Sequence, residues 1–109
     1  MRTCDLHNDK QSYERVKYDL ANEIRFAKRE ADKLLCIISG YGSTGGSHKI
    51  KNYLIELLDE YKAKNTIKDY ILGDDIDIFN VKYQSFIGRE KIPESIKKSH
   101  NKGIILVSV

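Results

Sequence analysis

Residues 34 to 51, LLCIISGYGSTGGSHKIK, decide the fold class. Leu34 to Ile38 is an unbroken apolar run of strand length, the pattern of a strand buried on both faces. A polar, glycine-rich loop follows. Apolar residues then recur at Ile50, Tyr53, Leu54, Leu57, Leu58 and Tyr61. That spacing predicts an amphipathic helix starting near Ser47. Lys62 and Lys64 near its end suit the helix dipole. Strand, loop and helix in this order form the middle of a β-α-β chain.

The flanks extend the pattern. Upstream, Tyr13, Val16, Leu20, Ile24, Ala27 and Ala31 recur at helical spacing, with Asp9 or Ser12 as the cap. Residues 1 to 7, MRTCDLH, read as a short strand before that helix. Downstream, Ile67 to Leu72 predicts a third strand, closed by Gly73 and two aspartates, and IILVSV after Gly103 predicts a last one. Two β-α-β crossovers imply parallel neighbouring strands. Two helices cover mainly one face of such a sheet, so the expectation is a small two-layer α/β domain.

The segment from 74 to 102 is too long for an ordinary loop. Asn80 is placed to cap a short helix through Val81, Tyr83 and Phe86, and Pro93 to open another turn through Ile96. From Asn80 to Lys102 there are six lysines and arginines against two glutamates, a local excess of four on a chain of net charge +3. A solvated lysine-rich lid and a phosphate-tracking arm are both compatible with that excess.

The bulk numbers set bounds. A chain of 109 residues suits one domain, 1–109, able to bury a modest core without disulfides or a structural metal. With 40% hydrophobic and 32% charged residues the composition is globular rather than disordered. A net charge of +3 selects no partner; clustering matters more than the total. Cys4 and Cys36 sit in apolar, strand-like runs without C-x-x-C or C-x-x-H spacing, so two buried, reduced thiols and no metal site are expected. No apolar run approaches the length of about 18 residues that a membrane span needs. A charged segment follows the first residues directly, so no signal peptide is read and a cytoplasmic protein is expected.

The glycine loop fits two nucleotide motifs at first sight. Gly40, Gly42 and Gly45 spell G-x-G-x-x-G, and Gly40 to Ser47 resembles a P-loop. A P-loop places lysine directly after its second glycine, where Gly46 stands here. The dinucleotide fingerprint requires an acidic residue about 20 positions on, at the end of the next strand. That count lands on Glu60, inside the second helix, whereas the next strand ends only at Asp74. No nucleotide cofactor is therefore expected. What remains is a backbone able to approach a ligand at Gly40, Gly42, Gly45 and Gly46. Ser43, Thr44 and Ser47 add hydroxyls, and Lys49 and Lys51 flank the helix start. This suits one or two phosphates of a polymer, or equally a turn shaped by steric demands alone. The Tyr41 ring is available to stack on a base or to cover the second helix.

Asp5 and His7 stand two apart on the first strand, with Leu6 turned into the core. Ligands of open α/β sheets collect beyond the carboxyl ends of parallel strands. The second strand delivers its loop to that edge, so Asp5, His7 and the loop should converge. An aspartate beside an imidazole can orient it for acid-base work near neutral pH. A strand-end capping pair would look the same.

Together these stretches resemble the Smr (small MutS-related) domain. That family pairs an L-D-x-H motif at its first strand with an H-G-x-G loop after its second. Cys4-Asp5-Leu6-His7 aligns with the first motif and Ser39-Gly40-Tyr41-Gly42 with the second. GIILVSV resembles the closing strand, and most of the chain is covered, with a longer connection at 74 to 102 than the shortest members have. The resemblance implies a βαβαββ domain with a mixed four-stranded sheet that binds nucleic acid, many members being linked to endonuclease activity on DNA or RNA. Carried over by position, Asp5 and His7 match the motif the family associates with cleavage, and Gly40 and Gly42 match its loop; the phosphate-binding reading of Ser39 to Ser47, with Lys49 and Lys51, rests on the residues themselves. Ser39 stands where the family carries a histidine, and Cys4 where it carries leucine. An RNA substrate would supply its own 2′-hydroxyl as nucleophile, with no cofactor. A DNA substrate would require water, or a divalent metal for which one aspartate is a poor site. The alternatives are a nucleic-acid-binding module without catalysis and a protein-interaction domain.

Overall fold

The computed structural model describes residues 1–6, 12–31, 33–39, 48–76 and 103–109. The elements are β1 (Arg2–Asp5), α1 (Tyr13–Lys28), β2 (Leu34–Ile38), α2 (His48–Ala63), β3 (Asp69–Leu72), a 3₁₀ turn (Gly73–Asp75) and β4 (Ile104–Ser108). They form an α/β fold with a mixed four-stranded sheet and two helices, in the sheet order β1-β2-β4-β3.

β1 pairs parallel with β2, and β4 lies antiparallel to both β2 and β3. β3 therefore runs parallel to β2 but is not its neighbour, contrary to the adjacency expected from the second crossover. The composition explains the exchange. β4 is buried at every position, whereas β3 carries Asp69 and is mostly half-buried. The strand that is buried along its whole length takes the centre, and the one carrying a carboxylate takes an edge.

Both helices pack on one face. Val16, Leu20, Ile24 and Ala27 of α1 and Ile50, Leu54, Leu57 and Leu58 of α2 join Leu35, Ile37, Ile105 and Val107 of the sheet in one core. The opposite face is buried as well: Leu34, Cys36, Ile71, Ile104 and Leu106 cluster with Ile76, which follows the 3₁₀ turn. Apolar side chains thus alternate to both sides of β2 and β4, as the unbroken run at Leu34 predicted.

Local chemistry sets the element ends. Ser12 is the N-cap of α1, its hydroxyl oxygen accepting from the Arg15 N–H at 3.2 Å. Asp9 lies outside the described residues. Ala31 falls beyond the helix and is exposed. α2 closes on Asn65, at φ 60°. The Asn65 N–H donates to the Lys62 carbonyl at 3.1 Å and the Thr66 N–H to that of Tyr61 at 2.8 Å. These are the two bonds of a Schellman closure. Ile67 is buried but its N–H still points back to Tyr61, so β3 begins at Asp69, later than expected. The short helices read at Asn80 and Pro93 lie outside the described residues.

Candidate functional site

The strand directions converge on one edge of the sheet. Asp5 pairs with Ile38, Ile38 with Ile104, and Leu72 with Ile105. The carboxyl ends of β1, β2 and β3 and the start of β4 therefore share that edge. Neighbouring strands lie about 4.8 Å apart, so the chain leaves β1 and β2 from adjacent points. β1 is shorter than the run 1 to 7, but pairing continues past it: the Leu6 N–H donates to the Ile38 carbonyl at 2.9 Å.

Thr3 and Asp5 are exposed, while Cys4 and Leu6 turn toward the helix-side core. Asp5 accordingly stands on the sheet face away from the helices, at the terminal register position. His7 and the loop residues Gly40, Tyr41, Gly42, Ser43, Thr44, Gly45, Gly46 and Ser47 lie outside the described residues. So does the basic stretch from 80 to 102.

Ser39 is described, and it is buried at 3% exposure. Its N–H donates to the Gly103 carbonyl at 2.7 Å and its hydroxyl to the same oxygen at 3.2 Å. The hydroxyl proton is thus committed within the fold. What Ser39 contributes is an anchor that ties the root of the glycine loop to the start of β4.

α2 begins at His48, with no acidic residue in its first turn. Lys49 is exposed and Lys51 half-buried. Two lysines in the first turn stand at the positive end of the helix dipole, which favours an anion at this end. Near it, the Tyr13 and Tyr53 rings stack with centroids 4.6 Å apart and planes 18° from parallel. Both were legible only as members of two separate apolar stripes, and nothing in either stripe signals the pairing. Tyr13 keeps 47% exposure.

The groups whose titration shifts most are two thiols of the sheet, one beside Asp5, and a tyrosine of β3. Burial, above all, pushes the Cys4 thiol up to about 12, helped by the charge of Glu23, and burial pushes Cys36 up to about 11. Neither is a thiolate at neutral pH. Cys4 faces the helix-side core and Cys36 the opposite cluster, so the sheet separates them and both are free. Burial and a hydrogen bond to Asp59 push the Tyr70 phenol up to about 12. Lys62 and Asp69 pair at 3.0 Å beside it.

Among the described residues no group of three or more His, Cys, Asp or Glu could hold a metal ion. No described helix is long and apolar enough to cross a membrane. Comparison with protein-family models, with curated proteins and with solved structures returns no match.

Proposed function

We propose that the chain is a divergent Smr-like nucleic-acid-binding domain of the cytoplasm that cleaves RNA, or nicks DNA, at this strand edge. One observation carries the reading. The Asp5–Ile38 register and the Leu6–Ile38 hydrogen bond start the D-L-H motif and the glycine loop from adjacent points of one edge. Two motifs 30-odd residues apart would serve a common site from such roots.

The scissile phosphate would lie over that edge. N–H groups between Gly42 and Ser47 would hold its oxygens and stabilise the charge that grows in the transition state. Lys49 and Lys51 would add positive potential. His7 would take the proton of the attacking hydroxyl, and Asp5 would orient the imidazole and support its charged form. With RNA, the 2′-oxygen bonds to phosphorus as the bond to the 5′-oxygen breaks. The leaving oxygen takes up a proton, and a cyclic phosphate results.

The test incubates purified protein with structured RNA and with supercoiled plasmid, beside His7→Ala and Asp5→Ala. The expected outcome is cleavage by the wild type and a loss of about 10²- to 10⁴-fold in His7→Ala, the usual worth of a general base. Cleavage retained by His7→Ala overturns the mechanism. A second reading, a binding module without catalysis, is favoured by Ser39: the position that carries a histidine in the family here holds a buried serine bound to Gly103. Salt-sensitive binding without cleavage selects that module.

A further inference from the structure

The outer pole of α1 is built for a ligand that the fold itself does not supply. At 100° per residue, the pole opposite the buried Val16, Leu20, Ile24 and Ala27 carries Glu14, Arg15, Tyr18, Asn22, Arg25, Phe26 and Arg29. All are exposed except Asn22, which is half-buried. Arg29, in helical geometry at the C-cap, prolongs the stripe. From Arg15 to Arg29 it rises about 21 Å.

Three arginines and one acid, Glu14 at its first turn, occupy this pole, so its charge is net positive. The neighbouring acids on the β1 side are engaged. Asp19 pairs with Arg15 at 3.2 Å, and Glu23 and Glu30 both pair with Arg2. Arg25 donates to Asn22, and neither Arg25 nor Arg29 forms an ion pair with a described residue. Between the arginines stand two large exposed rings, Tyr18 at 60% and Phe26 at 44%. Each ring is backed by a guanidinium: Arg15 over Tyr18 at 5.7 Å and Arg2 over Phe26 at 4.8 Å. A ring held on one face loses less rotational freedom when something stacks on the other.

We infer that this face of α1 binds an unpaired nucleic-acid strand, with Arg25 and Arg29 on phosphates and Tyr18 and Phe26 stacking on bases. Backbone-tracking cations alternating with aromatic platforms are the recognition chemistry of single strands. A duplex keeps its base faces stacked inside and has no use for the rings. A partner helix would require a continuous apolar seam, which the arginines interrupt. A membrane surface would require α1's apolar face, which is already buried in the core. The inference rests on the proposed nucleic-acid reading and extends it. The strand would run from the Arg15 end, near the catalytic edge, along the helix.

The test measures fluorescence anisotropy with a short labelled oligouridylate, an oligothymidylate and an RNA duplex of equal length, across a salt series. Circular dichroism checks that each variant is folded. Arg25→Glu with Arg29→Glu is expected to weaken single-strand binding at least tenfold and to flatten the salt dependence by about one to two. Tyr18→Ala with Phe26→Ala is expected to weaken it about tenfold with the salt slope unchanged. Tyr18→Phe should restore most of the loss at that position. Equal binding by wild type and both double variants overturns the inference and leaves the proposed function standing. Tighter binding to the duplex, or displacement of the strand by polyglutamate at equal charge concentration, also overturns it, the latter in favour of an acidic protein partner. No binding by the wild type at low salt defeats both readings.

Discussion

The titration of three side chains gives a measurable signature at the residue scale. Cys4, Cys36 and Tyr70 all keep their protons to higher pH in the folded chain than their ordinary values of 9.0 and 10.0. Well below pH 9 they are protonated folded and unfolded, and they add no pH dependence. Between about pH 9 and about pH 12 the folded state binds more protons than the unfolded one, so stability falls as pH rises. The urea midpoint is therefore expected to drop steadily above about pH 9. Cys4→Ala with Cys36→Ala should flatten the first part of that decline, and Tyr70→Phe the part above about pH 10. An unchanged profile in these variants would contradict the assignment. Both cysteines were read as buried thiols from their apolar runs; Cys36 is buried, whereas Cys4, on the edge strand, is half-buried. Their separation by the sheet was not legible, because facing depends on register with a partner strand. Ser39 shows the same limit. In sequence it opens the glycine loop; in the fold it belongs to the sheet, with both of its donors on Gly103.

Elements end where local hydrogen bonding is cheaper than another turn of helix. Ser12 satisfies the Arg15 N–H that α1 leaves open, so Ser12→Ala should cost about 1 kcal/mol in chemical denaturation. Asn65 closes α2 in the left-handed region, where a β-carbon is costly and asparagine is tolerated better than most residues. Asn65→Ala should lose about 1 kcal/mol, while Asn65→Gly should hold or gain, the two compared by their urea midpoints. A loss in Asn65→Gly equal to that in Asn65→Ala would mean that the side chain, not the backbone, closes the helix. Both helices were legible from their apolar periodicity, since the stripe that packs is the stripe that repeats. The start of α1 was narrowed to two residues and settled on the one whose hydroxyl reaches N3. The start of β3 was misread because Ile67 is apolar for a different reason. It fills the core under the Schellman closure before the strand begins.

In the whole molecule, the sheet is buried on both faces, and this makes a prediction that an open-faced two-layer sheet would not. Ile105 packs under the helices and Leu106 against the opposite cluster, each fully buried. Ile105→Ala and Leu106→Ala should each cost about 2–5 kcal/mol, a large share of the roughly 5–15 kcal/mol available to a domain. Thermal and urea unfolding of the two variants checks it; a near-neutral Leu106→Ala would show the second face to be open to water. The sequence by itself determined the element types, the helix-facing stripes, the interior character of β2 and β4 and the two motifs at strand ends. These depend on periodicity and residue chemistry within one segment. Only the tertiary structure decided that β4 inserts between β2 and β3, that Ser39 turns inward and that Tyr13 meets Tyr53. The shared edge of Asp5 and the glycine loop's root was expected from the strand order; the structure supplied the register, Asp5 opposite Ile38. Those outcomes depend on which segments exclude water together, a competition among the apolar surfaces of the whole chain that no single segment records.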